Sequence, residues 1–111
     1  METGYWNTKG MVKETAINIA KDYISHIPKE MAVKTAYLFG SYAIGNQSEE
    51  SDIDVAIVTG SSNDIFEIQM QLFRIRRRID LRIEPHAIRE EDFSHLNPLA
   101  EEIMQSGIEL I

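Results

Sequence analysis

The chain has 111 residues, a formal net charge of −7, 43% hydrophobic and 26% charged residues, and no cysteine. That length supports one core and a single domain, residues 1–111, with no room for a separate substrate domain. The composition excludes a disordered or fibrous chain, the missing cysteines exclude disulfides and thiolate zinc sites, and the acidic balance opposes an extended nucleic-acid surface.

The amino terminus carries Tyr5-Trp6 without an apolar signal core, and no apolar run reaches the ~20 residues that span a bilayer, so a cytoplasmic protein is expected. From Thr8 to about His26, Met11, Ala16, Ile19, Ala20 and Tyr23 recur at helical spacing, and Pro28 marks the end of that helix. Val33 to Phe39 reads as a first strand that stops at Gly40-Ser41, where the chain turns into a short helical segment. A polar connection, Gly45-Asn46-Gln47-Ser48, leads to a second strand from Ser51 to Thr59. Gly60-Ser61-Ser62-Asn63 breaks it, with Ser62 or Asn63 as the cap of a helix from about Asp64 to Arg77.

Ile79 to Glu84 is the predicted third strand, ended by Pro85, with Leu81 and Ile83 on one face and Asp80, Arg82 and Glu84 on the other. Ile88 to Leu96 reads as a loop with a helical turn. Pro98 opens a last helix to about Gln105, Gly107 stops it, and Ile108 to Ile111 has the pattern of a short final strand. The order αβαβαβ with short connections predicts an α/β (α+β) domain with helices covering mainly one face of the sheet.

Side chains alternate along a strand, so Asp52 and Asp54 point the same way while Ile53, Val55 and Ile57 point the other. Two like charges aimed at one spot repel, and hard oxygen donors in that arrangement suit Mg2+ or Mn2+. If the three strands are neighbours, Asp80 joins Asp52 and Asp54 beside the Gly40-Ser41 turn. Carboxylates that hold two ions about 3.5–4 Å apart can activate an attacking oxygen and steady a leaving phosphate. Gly40 allows close backbone approach to a phosphate, and the Ser41 hydroxyl and nearby amides can donate to it.

Gly40-Ser41, Gly45 and Ser51-Asp52-Ile53-Asp54 match a GS-x-x-x-G…S-D-x-D signature that resembles the DNA polymerase beta-like nucleotidyltransferase superfamily. Arg78-Ile79-Asp80-Leu81-Arg82-Ile83 looks like the strand that carries its third aspartate, and the motif region spans residues 33–85. The resemblance implies that family's fold, with a small mixed sheet. It implies that Asp52 and Asp54 bind two magnesium ions, that Asp80 binds the catalytic ion and helps deprotonate the acceptor, and that Gly40 and Ser41 hold the β- and γ-phosphates of ATP. The short chain looks most like the minimal nucleotidyltransferases, which pair with small helical HEPN proteins. Some of these are antitoxins that transfer AMP to a HEPN ribonuclease toxin.

Each of these features has a plainer counterpart. Alone, Asp52 and Asp54 fit a solvated strand face as well as a metal site. Ser41 fits a turn, and Asp80 fits an ion pair with Arg77, Arg78 or Arg82. Glu84 lies ~13 Å beyond Asp80 at strand rise, which suits a surface role. Arg74, Arg76, Arg77 and Arg78 suit a helix end that complements the dipole, with Arg76 or Arg77 open to a phosphate or an acidic partner. His26, His86 and His95 follow no metal-ligand spacing, and Phe66, Met70 and Phe73 read as core. Two other functions stay open: a binding module that neutralises its partner by occlusion, and nucleotidyl transfer to a small molecule.

Overall fold

The computed structural model describes residues 12–111. Tyr5-Trp6, Met11 and the predicted helix start at Thr8 lie outside the described residues. The elements run α1 (Lys13–Ser25), β1 (Val33–Phe39), α2 (Ser41–Ile44), β2 (Ile53–Thr59), α3 (Ile65–Arg76), β3 (Ile83–Arg89), α4 (Pro98–Ser106) and β4 (Ile108–Glu109). The four strands form one mixed sheet in the order β3-β2-β1-β4. β1 is antiparallel to both β2 and β4, whereas β3 is parallel to β2 and is reached by the α3 crossover.

Helix boundaries follow local chemistry. Asp64 caps α3 by accepting the Phe66 N–H at 2.8 Å, so the cap falls one or two residues later than Ser62 or Asn63. Asn97 accepts from the N–H groups of Leu99 and Ala100, and Pro98 follows it in the first turn of α4, where a missing N–H costs nothing.

β2 is the spine of the sheet. Every residue from Ile53 to Thr59 is buried except Asp54, which is intermediate. The odd-numbered face packs Ala36, Leu38, Ile53, Val55, Ile57 and Ile83 beneath α1 and α3, with Ala16, Ala20, Tyr23, Ile68 and Leu72 in the same core. Each fully buried leucine or isoleucine there stabilises the fold by about 1.5–3 kcal/mol. The other face holds a smaller cluster of Phe39, Ala56, Ile88 and Ile103, with Tyr37, Phe93 and Leu99 against it. The helices therefore cover one face broadly and the second only in part. No helix among the described residues is long and apolar enough to cross a membrane.

The third strand differs from its predicted position. It runs from Ile83 to Arg89, and residues 77–82 form turns instead. Ile79 and Asp80 donate their N–H groups back to the Arg76 carbonyl, which winds the chain off the end of α3. The Asp80 carboxylate accepts the Arg82 N–H at 2.9 Å, a side-chain turn that competes with strand pairing. Leu81, expected on the same face as Ile83, is 67% exposed, whereas Ile83 is buried.

Pro85 lies inside the strand because β3 is an edge. The outward groups are met by α3: Gln69 donates to the Pro85 carbonyl and accepts the Ala87 N–H, and Arg76 donates to the Ile83 carbonyl. Polar groups of residues 83, 85 and 87 thus face away from β2, and the nitrogen of Pro85 removes no ladder bond.

α1 is tied to α3 by the buried Tyr23 hydroxyl, which donates to the Leu72 carbonyl at 2.7 Å. Burial pushes its phenol pKa up, so it stays a neutral donor. Tyr23→Phe should lower unfolding stability by about 1 kcal/mol in urea titration with an unchanged slope, the ordinary net value of one such bond; an unchanged midpoint would show the bond to be incidental.

Candidate active site

The antiparallel register sets Phe39 opposite Asp54. The residue after Phe39 is Gly40, at φ 75° and ψ −152°, a backbone conformation that side chains disfavour. A Cβ on Gly40 would strike the carboxylate of Asp54. Glycine is therefore demanded twice here, by its dihedral angle and by the carboxylate lying against it. Ser41 is the first residue of α2 and is half-buried, so the backbone turns sharply beside Asp54. A single helical turn adds little dipole, but its leading N–H groups have no partner within the helix.

Asp54 is on β2 with 25% of its side chain exposed. Asp52 precedes β2 by one residue and is exposed. Gly40, Ser41, Asp52 and Asp54 are thus gathered by one β1–β2 pair at the turn. Asp80 is in the turn before β3 and not on a strand, and that turn meets the start of β2, where the Arg82 carbonyl accepts the Ile53 N–H at 2.8 Å. Its carboxylate takes the Arg82 guanidinium in two bonds, at 3.0 Å to Nε and 2.7 Å to Nη2. That hydrogen-bonded pair holds the Asp80 carboxyl below the usual carboxylate range, against the opposing pull of its burial.

Glu84, expected to have a surface role, and His86, which follows no metal-ligand spacing, belong to this face. Glu84 is the direct register partner of Asp54 across the parallel β2–β3 pair, and side chains paired in this way share a face. Its carboxylate lies 3.9 Å from Arg76 Nη1, at the sheet edge. His86, two residues on, places Nε2 3.2 Å from Asp54 Oδ1 and meets the ring of Phe39 edge-on at 5.0 Å. The imidazole thereby orients one oxygen of Asp54 while Gly40 leaves room for the other. Alternation of Glu84 and His86 along a strand was the available signal, hidden by ending that strand at Pro85.

Among the described residues, no group of three or more His, Asp or Glu side chains is assembled closely enough to hold a metal. Asp52 and Asp54 nonetheless suit magnesium, which binds through one or two carboxylates and completes its shell with water and substrate phosphates. The donors are hard oxygens, and the missing side chain of Gly40 leaves the room that the Asp54 carboxylate occupies against the turn.

Gly40→Ala should destabilise the fold by about 1–3 kcal/mol through the disfavoured dihedral and the displaced Asp54 carboxylate. Mn2+ affinity, read by paramagnetic titration of the folded variant, should fall with it. Full stability and full affinity together would remove Gly40 from the site.

A model of the family described as "Polymerase beta, Nucleotidyltransferase" matches residues 21–111. No curated protein matches the chain. Among solved structures, a putative nucleotidyltransferase from Sulfolobus solfataricus is 18% identical with a TM-score of 0.61, covering 87% of this chain and 80% of its own. A toxin-antitoxin crystallised with AMP-PNP is 25% identical with a TM-score of 0.54, covering 89% of this chain and 72% of that one. A mutant of the toxin-antitoxin MntA-HpeT is 24% identical with a TM-score of 0.53, covering 91% and 72%. With a match over most of its length and the glycine-aspartate turn in place, the chain belongs to the polymerase beta nucleotidyltransferase family.

Proposed function

We propose that the chain is a magnesium-dependent transferase that moves AMP from ATP to a protein partner, a HEPN ribonuclease toxin, and acts as the antitoxin of that pair. The observation that carries the chemistry is the Gly40 backbone turned against the Asp54 carboxylate at the start of α2. The protein acceptor and the adenine base are supported by the likeness to the toxin-antitoxin with AMP-PNP.

In this proposal Asp52 and Asp54 hold the metal, and Gly40 and Ser41 receive the β- and γ-phosphates. When bound, magnesium supplies charge to the phosphoryl oxygens and makes the acceptor hydroxyl easier to deprotonate. The acceptor oxygen forms a bond to the α-phosphorus, the bond from that phosphorus to the bridging oxygen breaks, and pyrophosphate leaves. A carboxylate of the same face takes the hydroxyl proton. Asp80 is already paired with Arg82, whereas Glu84 stands in register with Asp54.

One observation favours the second function, neutralisation by occlusion without catalysis. Asp80 is committed to Arg82, and no three-carboxylate cluster is preformed among the described residues. The two functions separate by experiment. Incubated with partner, ATP and magnesium, the wild-type chain should add the mass of AMP to the intact partner. Asp54→Asn should abolish that addition and with it neutralisation of the toxin. A partner that gains no mass but is still neutralised, by wild type and variant alike, would establish occlusion.

The third carboxylate is decided separately. Glu84→Gln should weaken Mn2+ binding about tenfold, while Asp80→Asn should change it by less than about threefold. The reverse order would place Asp80 on the metal.

A further inference from the structure

Phe66, Met70 and Phe73 follow helical spacing and read as core, yet α3 turns two of them outward. Phe66 is 78% exposed and Met70 54%, while the buried side of the same helix is Ile68 and Leu72. Residues four apart lie on one helix face, so Phe66, Met70 and Arg74 form a continuous line that Arg77 extends. A shallow groove of about 300 Å³ runs along it, lined by Phe66, Glu67, Met70, Gln71 and Arg74.

Charge on this face opposes the charge of the whole. The chain has 11 basic residues against 18 acidic, and Arg74, Arg76, Arg77 and Arg78 are four of the 11. Arg76 is occupied internally, donating to the Ile83 carbonyl at 2.8 Å and lying 4.8 Å from the centre of the Phe73 ring. Arg74, Arg77 and Arg78 are exposed, with Glu67 the acidic residue among them. Aromatic, methionine and arginine side chains are the types enriched where proteins bind one another, and lone exposed apolar residues are not arranged in lines.

We propose that this outward face of α3 is the docking surface for an acidic protein partner. Phe66 and Met70 would enter an apolar groove, and Arg74, Arg77 and Arg78 would meet carboxylates on its rim. Three exposed arginines on a chain of net charge −7 are too few for nucleic acid. The proposal rests on the protein partner of the preceding section and adds where that partner sits.

The test uses the full chain, tagged and expressed in its native host, as wild type, Phe66→Ser/Met70→Ser and Arg74→Glu/Arg77→Glu. All three should unfold cooperatively, with the arginine variant lowered by no more than its lost dipole complement, and Mn2+ affinity should match among them, since these side chains are exposed and outside the site. The wild type should retain one protein in stoichiometric amount, identified by mass spectrometry as acidic. It should also protect residues 66–78 from hydrogen exchange in the purified complex. Both variants should lose retention about tenfold or more, the effect of removing central contacts. Equal retention by all three chains, no retained protein, retained nucleic acid, or a wild-type dimer that the variants abolish would each overturn the docking surface. If retention behaves as expected but the wild-type partner carries no AMP, docking stands and AMP transfer fails. If the variants still hold a modified partner, the reverse applies.

Discussion

The close approach of Gly40 to Asp54 is the constraint on which the rest of the site depends. Because β1 and β2 are antiparallel with Phe39 opposite Asp54, the end of one strand and the beginning of the other are set side by side. The chain leaving β1 must then turn within one residue, at a positive φ, and do so against a carboxylate. Any side chain at position 40 would force either the turn or the carboxylate to move. The same register puts Phe39 beside His86, so the aromatic ring that ends β1 also steadies the imidazole that contacts Asp54. Backbone pairing, more than any single side chain, assembles the site.

That pairing needs β3 to be held at the edge of the sheet, and α3 does this through side chains. Gln69 and Arg76 satisfy the outward carbonyl and amide groups of residues 83, 85 and 87. The edge is thus closed to strand addition, and Pro85 sits where its missing donor is harmless. One helix serves three surfaces at once. Ile68 and Leu72 enter the core, Gln69 and Arg76 close the sheet edge, and Phe66, Met70 and Arg74 remain outside.

Sequence patterns disclose β1, β2, the span of α3 to within a residue or two, and the Pro98 start and Gly107 stop of α4, because these are short-range effects of alternation and backbone chemistry. Gly40 and the Asp52/Asp54 pair were legible for the same reason: the turn, the strand start and the spacing are contiguous. The third strand was not, because two local rules pointed the wrong way. Asp80-Leu81-Arg82-Ile83 alternates like a strand, but Asp80 and Arg82 bond each other within a turn. Pro85 looks like a terminator, but an edge strand tolerates it. The strand starts four residues later than its alternation suggests, and the places of Glu84 and His86 depend on pairing with β2, which is not local. Helical spacing likewise cannot tell a core stripe from an exposed one, so Phe66 and Met70 read as core although both face outward.

Charge links the two surfaces. A chain of net charge −7 that takes a nucleoside triphosphate must offset the phosphates, and two of its arginines that flank β3 are already engaged. Arg82 is bound to Asp80, and Arg76 to the Ile83 carbonyl and the ring of Phe73. On the proposed function, the offset therefore comes from the cation that arrives with the nucleotide and from peptide N–H groups at the Gly40-Ser41 turn. Asp54, kept partly buried and oriented by His86, then has reason to lack an arginine of its own: a fixed cation there would compete with the mobile one. The exposed arginines of α3 are freed from substrate binding by the same logic, which leaves a macromolecular surface as the charge they are placed to meet.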